Sequence, residues 1–184
     1  MLRVISGKFK SRKLKEVKTD STRPTTDKNK EMLFNVIGQY FDGDFVVDLF
    51  SGSGALGIEA LSRGAGYVEF VDNNFSAIKV IKENLGSFNL LSKDETKVYK
   101  SDVLSYLQNT AFHFDIILAD PPYKYEFYED ILNIIASRQL LNDDGIIVLE
   151  SDKDRVLPEK ISNLVKKKEK VTGITKFTIY EKGE

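Results

Sequence analysis

Residues 45–62 read FVVDLFSGSGALGIEALS, a short apolar, β-branched run that stops at a glycine-rich turn and restarts with helical spacing. A strand that passes straight into a helix calls for a parallel partner strand, because the crossover helix carries the chain back to the same edge of the sheet. The alternation continues to residue 150. The spacing predicts strands at Phe45–Phe50, Tyr67–Asp72, Lys97–Ser101, Phe114–Ala119 and Gly145–Glu150. Helical stretches are expected near residues 55–63, 74–87, 103–109 and 126–137. Short, nearly continuous apolar strands between helices define an α/β fold with a mainly parallel, doubly wound sheet buried on both faces. Residues 164–181, two β-prone runs around Gly173, are expected to close it as an antiparallel hairpin, with KKKEK in the first arm as a solvated edge.

Ahead of this core, Leu2, Val4, Phe9, Leu14 and Val17 alternate around Gly7 and predict a short hairpin. Met32, Leu33, Val36, Ile37, Tyr40 and Phe41 then form one stripe of an amphipathic helix running from Thr26 to Phe41, capped by Thr25, Thr26 or Asp27. A chain of 184 residues is one domain's worth. The expected organisation is therefore a single domain, residues 1–25 forming a basic hairpin appendage and residues 26–184 the helix and the α/β core.

No stretch reaches the roughly 18 apolar residues of a membrane span, and the start MLRVISGKFKSRK lacks the apolar segment of a secretory leader, so a cytoplasmic location and no membrane partner are expected. The absence of cysteine excludes disulfides, cysteine nucleophiles and thiolate metal sites. His113 is the one histidine, set between two phenylalanines; it cannot build a zinc site alone, and no metal is expected. Residues 1–30 carry ten Lys or Arg against three acids, so this arm is +7 and the rest of the chain −8. A basic segment on an acidic body fits a polyanionic partner such as nucleic acid.

In an open parallel sheet, ligands sit beyond the carboxyl ends of the strands, where connections diverge to opposite faces. Those ends read DLFSGSGALG, VDNN, KSDV, ADPPY and LES. Gly52, Gly54 and Gly57 match G-x-G-x-x-G between strand and helix, a pattern that by itself also fits a dinucleotide. A dinucleotide places its pyrophosphate on the loop amides and the helix N-terminus. Asp48, just before the loop, would set a carboxylate against that pyrophosphate. S-adenosylmethionine has no phosphate and carries a sulfonium and an ammonium group, so the same carboxylate helps. The expected cofactor contacts are Asp48, the loop Ser51, Gly52, Ser53, Gly54 and Gly57, then Asp72 and Asn73 for the ribose, and Asp102 with Val103 for the adenine.

With DLFSGSGALG, VDNN and DPPY on one chain, the sequence resembles the Rossmann-like S-adenosylmethionine-dependent methyltransferases, in the branch that methylates exocyclic amino groups of bases. Such an amine is a poor nucleophile because its lone pair is delocalised into the ring. Acceptors aimed at its protons favour a pyramidal, nucleophilic nitrogen and stabilise the positive charge that develops there. Asp120 offers a side-chain acceptor and Pro121 a carbonyl whose direction Pro122 fixes, while Tyr123 offers a stacking face worth about 1–3 kcal/mol per base.

The flanks narrow the resemblance. RVISGKFKSRKLKEV, STRPTTDKNKEMLFNVI and GALGIEALSRGA are similar to the bacterial 16S rRNA guanine-N2 methyltransferases of the RsmD type, over nearly the whole chain. The resemblance implies S-adenosylmethionine as cofactor, no metal, and 16S rRNA or the small ribosomal subunit as partner. It makes Asp120, Pro121, Pro122 and Tyr123 the catalytic corner, and puts Arg23, Pro24, Thr25 and Thr26 near cofactor and entering base. The basic arm, with Arg3, Lys8, Lys10, Arg12, Lys13, Arg23, Thr25 and Lys28, would hold RNA phosphates. Two alternatives stay open on the residues: a DNA adenine-N6 methyltransferase, and a noncatalytic nucleic-acid-binding module with a vestigial cofactor pocket. The acids at 48, 72, 102 and 120 speak against decay.

Overall fold

The computed structural model describes residues 1–18 and 25–184. Eight strands form one sheet in the order β3-β2-β1-β4-β5-β8-β7-β6. They are β1 (Phe45–Leu49), β2 (Tyr67–Asp72), β3 (Thr96–Lys100), β4 (Phe114–Ala119), β5 (Leu141–Asp152), β6 (Lys160–Ile161), β7 (Leu164–Thr172) and β8 (Thr175–Lys182). The first five pair in parallel. β8 runs antiparallel to β5, and β7 antiparallel to β8, so the carboxyl-terminal hairpin closes the sheet as expected.

Five helices cover it: α1 (Asp27–Ile37), α2 (Ala55–Ser62), α3 (Phe75–Ser87), α4 (Val103–Asn109) and α5 (Tyr128–Ser137). Alternate residues of each central strand face opposite ways. Val46, Val68, Phe70, Ile116 and Leu118 join α1, α2 and α3 in one core, while Val47, Leu49, Val71, Ile117 and Leu149 join α4 and α5 in the other. Each fully buried Leu, Ile or Phe contributes about 1.5–3 kcal/mol. The reversal of strand order between β1 and β4 makes their carboxyl ends the natural crevice.

β3 (expected at Lys97–Ser101), the start of α5 (expected near 126) and the end of β5 (expected at Glu150) shift by one or two residues, and three further boundaries depart for a local reason. α1 stops at Ile37 because Gly38 turns at φ 124°; Phe41 keeps its place in the apolar stripe from a loop, its ring 6.0 Å from that of Phe34. β1 stops at Leu49, since Phe50 takes φ 58°. β5 begins at Leu141 rather than Gly145, through an irregularity where Leu141 still pairs with Phe114. Along KKKEK, Lys168, Glu169 and Lys170 form the exposed edge expected, whereas Lys166 is drawn inward between Glu159 at 2.6 Å and Glu169 at 3.2 Å.

The amino-terminal hairpin, expected as an appendage, lends Leu2, Val4 and Leu14 to the first core. Its strands meet at Arg3 and Lys13, and it docks on α2 and α3 by hydrogen bonds. Glu59 accepts from the amides of Ile5 and Ser6 at 2.9 and 3.0 Å. Asn84 clasps the backbone of Lys15 through both its amide and its carbonyl oxygen. Gly7 lies so close to α2 that a Cβ there would fall 1.8 Å from the Ser62 carbonyl oxygen. Glu59 also pairs with Arg63 at 2.9 Å and Lys30 at 3.5 Å, all three buried, so Lys30 is a structural cation rather than part of a basic surface.

Candidate active site

The glycine loop leaves β1 with its donors already directed at carboxylates. The Gly52 amide donates to Asp72 Oδ2 at 2.9 Å, and the Gly57 amide donates to Asp48 Oδ2 at 2.9 Å. A pyrophosphate would have to displace both acids from these donors, and a cationic ligand would not. Burial pushes the Asp48 carboxyl well above the usual carboxylate range; the Gly57 amide pulls it down, and the charges of Asp120 and Asp72 push it up again. A positive group in the crevice would relieve this crowding of acids. S-adenosylmethionine, with its sulfonium and ammonium groups, fits that requirement.

The loop residues do not all face the crevice. Gly52 (φ 55°) has open space where a Cβ would project, and Gly54 (φ 80°) caps α2 in a conformation glycine favours. Gly57 is different: a Cβ there would meet the Phe70 ring at 2.4 Å, so the close packing of α2 on β2 requires glycine at this position. Ser51 is likewise engaged internally. Its hydroxyl bonds the Asp48 carbonyl and accepts from the Val71 amide at 2.8 Å, tying β1 to β2. The Ser53 carbonyl accepts from Asn84 Nδ2 at 2.8 Å, so the side chain that clasps the hairpin also holds the loop.

Asp72 ends β2 half-buried, its second oxygen accepting from the Asn74 amide at 2.8 Å. Asn73 is exposed beside it. Asp102 is exposed and caps α4 through the Ser105 amide at 3.0 Å, whereas Val103 is sunk in the second core and has little surface to offer a ring. Thr26 caps α1, its hydroxyl accepting from the Asn29 amide at 3.1 Å.

At the end of β4, Asp120 is partly buried, Pro121 buried and Pro122 exposed, and Tyr123 stands 72% exposed. The Thr25 hydroxyl donates to Asp120 Oδ2 at 3.4 Å. Burial raises the Asp120 carboxyl to about 6, against the downward pull of hydrogen bonds from Thr25 and Glu150. Pro122 accepts from the Tyr125 amide at 2.9 Å, turning the chain so that Tyr125 packs edge-on against Phe50 at 5.0 Å and Phe127 at 5.6 Å. Burial, with the charges of Asp102 and Asp130, pushes the Tyr125 hydroxyl up to about 12. Phe50 and Tyr125 thus form an aromatic wall beside the acid corner. Sequence reasoning missed both; the signals were the aromatic just before the loop and the second tyrosine of DPPYKY.

The basic residues divide. Lys8, Lys10, Lys13 and Lys28 are exposed. Arg3 pairs with Asp27 at 2.8 Å, and Arg12 lies 4.1 Å from the Phe88 ring centroid with a hydrogen bond to the Ser87 carbonyl. Arg23 and Pro24 lie outside the described residues. Among the described residues no cluster of His, Cys, Asp or Glu fits a metal ion, and no helix is long and apolar enough to cross a membrane.

Sheet order, acid-lined glycine loop and DPPY corner together define a Rossmann-like methyltransferase fold. Solved structures agree: the Escherichia coli protein yhhF aligns with TM-score 0.86 at 29% identity, covering 99% of this chain and 98% of its own. Protein HI0767 of Haemophilus influenzae aligns at 0.81 and 31%, covering 100% and 99%. The chain belongs to the RsmD-type family, whose sequence model, described as "Conserved hypothetical protein 95", matches residues 2–181. It is 46% identical over 184 residues to YlbH of Bacillus subtilis, spanning 98% of this chain and 99% of that one. It is 34% identical to the "Ribosomal RNA small subunit methyltransferase D" of Haemophilus influenzae, spanning 98% and 93%.

Proposed function

We propose that this protein methylates the exocyclic N2 amine of a guanine in 16S rRNA of the small ribosomal subunit, with S-adenosylmethionine as methyl donor. One observation carries the reading: Asp120 to Tyr123 sit at the switch in strand order, beside a loop whose amides are already bonded to Asp48 and Asp72. The curated relative of Haemophilus influenzae named as a small-subunit rRNA methyltransferase supports the choice of polymer.

When bound, the cofactor supplies an electrophilic methyl on a sulfonium leaving group. Asp48, Asp72 and the Gly52–Gly54 turn hold the cationic ligand by charge and close backbone approach; Asp102 and the Phe50–Tyr125 wall border its adenine. Asp120 and the Pro121 carbonyl accept hydrogen bonds from the two amine N–H groups and aim the nitrogen lone pair, and Tyr123 stacks on the extruded guanine. Positioning and electrostatics supply most of the acceleration. Lys8, Lys10, Lys13 and Lys28, with Arg3, Arg12, Arg23 and Thr25, contact backbone phosphates and carry no sequence information.

The test is incubation with methyl-labelled S-adenosylmethionine and small subunits, free 16S rRNA (both from cells lacking the activity) or duplex DNA, followed by nucleoside analysis. Label in N2-methylguanosine of ribosomal RNA is expected. Label in DNA adenine would replace the reading with the DNA methyltransferase, and binding of cofactor without transfer to any of the three would overturn the rRNA assignment and leave the enzyme class with another substrate.

A further inference from the structure

At the end of β5, Glu150 has no role in the chemistry above, yet its place in the sheet is specific. β4 and β5 run parallel with Leu118 opposite Val148 and Ala119 opposite Leu149. The next pair in register is Asp120 and Glu150, and both side chains follow Leu118 and Val148 onto the face of the first core. There Glu150 lines a small cavity with Leu33, Leu56, Leu118, Ala119, Val148 and Phe177, all apolar. Its Oε2 is shut off from solvent and has no hydrogen-bond partner.

Two adjacent carboxylates in such surroundings cannot both ionise without heavy cost, and one proton shared between them removes it. The members are not equivalent. Asp120 receives a hydroxyl from Thr25 and borders the crevice that takes a cation, whereas Glu150, half-buried as a residue, turns an Oε2 with no hydrogen-bond partner into a cavity otherwise lined by apolar side chains. The proton therefore resides on Glu150.

We propose that Glu150 is a positioning residue for the methyl transfer: its carboxyl O–H donates to Asp120, leaves the pair with one negative charge on Asp120, and fixes that carboxylate as acceptor for the substrate amine. The proposal rests on the catalytic reading of Asp120 given above. In the step, the amine nitrogen forms a bond to the methyl carbon as the sulfur–methyl bond breaks, its electron pair passing to sulfur. The nitrogen, now positive, releases one proton to Asp120, which passes it to solvent. An acid held near 6 takes that proton more readily than an ordinary aspartate would. Burial first, and then Asp120, hold Glu150 well above its usual range and keep it protonated throughout. The other groups facing the pair are Asp48 from β1, Thr25 ahead of α1, and Tyr128 from α5, whose hydroxyl donates to the Glu150 backbone carbonyl at 3.0 Å.

Glu150→Gln and Glu150→Leu separate donation from bulk. The amide of E150Q still donates to Asp120, so its single-turnover rate should stay within about tenfold of the parent, with the acidic limb of the pH–rate profile in place. E150L keeps the volume and loses the donor. Its rate should fall on the order of 10²-fold, with cofactor affinity unchanged and the acidic limb moved up by about one pH unit. Equal rates in the two variants, or a limb that does not move in E150L, would overturn the proposal. Infrared difference spectra at neutral pH, parent minus E150Q, read the proton without any turnover. A protonated-carboxyl band supports the assignment and its absence overturns it, whether or not the parent transfers methyl to RNA.

Discussion

Replacing Gly57 by alanine sets two contributions of known sign against each other. Alanine favours a helix interior over glycine by about 1 kcal/mol. Its Cβ, however, would lie 2.4 and 2.9 Å from Phe70 Cε1 and Cζ and 3.0 Å from Val68 Cγ1. Both neighbours are fully buried at 0% exposure and cannot swing clear, so the overpacking belongs at the upper end of its usual range, about 3 kcal/mol. The net loss is about 2 kcal/mol, which for a chain of 184 residues lowers the melting temperature by about 4–8 °C. Gly52→Ala is the natural counterpart, because at φ 55° its Cβ meets nothing within 4 Å. Backbone strain there costs about 1–2 kcal/mol, and the methyl protrudes toward the crevice. Calorimetric melting should show comparable losses in the two, and titration with S-adenosylmethionine should split them, G57A keeping its cofactor affinity and G52A losing it. A G57A protein that melts at or above the parent, or a G52A protein that binds the cofactor unchanged, would refute this division of labour.

Asp120→Asn removes an acid whose folded value, about 6, lies above the 3.8 of an ordinary aspartate. The folded state then holds the proton more tightly than the unfolded chain, so the parent loses stability as pH rises from about 4 through 6. D120N should melt higher than the parent at pH 8 and level with it near pH 4, while losing turnover; a pH-independent difference would contradict the burial of this charge. Glu59→Gln leaves Lys30 and Arg63 as unpaired buried cations, and a loss of about 3–5 kcal/mol is expected by chemical denaturation. A loss under about 1 kcal/mol would mean the triad is replaceable. Charge reversal of Lys8, Lys10 and Lys13 should weaken RNA binding and flatten its dependence on log salt by about 0.7–0.9 per lost phosphate contact, with cofactor affinity intact. An unchanged salt slope would remove the hairpin from the RNA interface.

The parallel core was legible because β1, β2 and β4 are nearly continuous apolar runs and an acid stands at or within two residues of each of the first four strand ends: Asp48, Asp72, Asp102, Asp120. Pattern reports which face a residue occupies and is silent on the partner across it. Lys30 therefore read as one more positive charge of the arm, although Glu59 holds it inside. Gly57 satisfied a ligand-loop spacing while answering to Phe70 on the neighbouring strand. Glu150 was visible only as the last acid of LES, since its register with Asp120 depends on a pairing between strands that α5 separates. α1 overran in the prediction for the converse reason. Phe41 satisfies the helical period from a loop, and only the turn at Gly38 distinguishes the two.

The docking of the hairpin through Glu59 and Asn84 has a bearing on the order in which the molecule is made. Residues 1–18 are synthesised before the elements they dock on, their anchoring acceptors lying 53 to 69 positions downstream. At about 5–20 residues per second the segment waits on the order of 3–14 s for α3 to emerge. Contacts of such long sequence separation form late, after β1, α2 and β2 have built the local platform that presents Glu59. The arm is thus a finishing clasp whose loss should speed unfolding more than it slows folding. Because the same Asn84 side chain grips the Ser53 carbonyl, closing that clasp also ties down the glycine loop after β1.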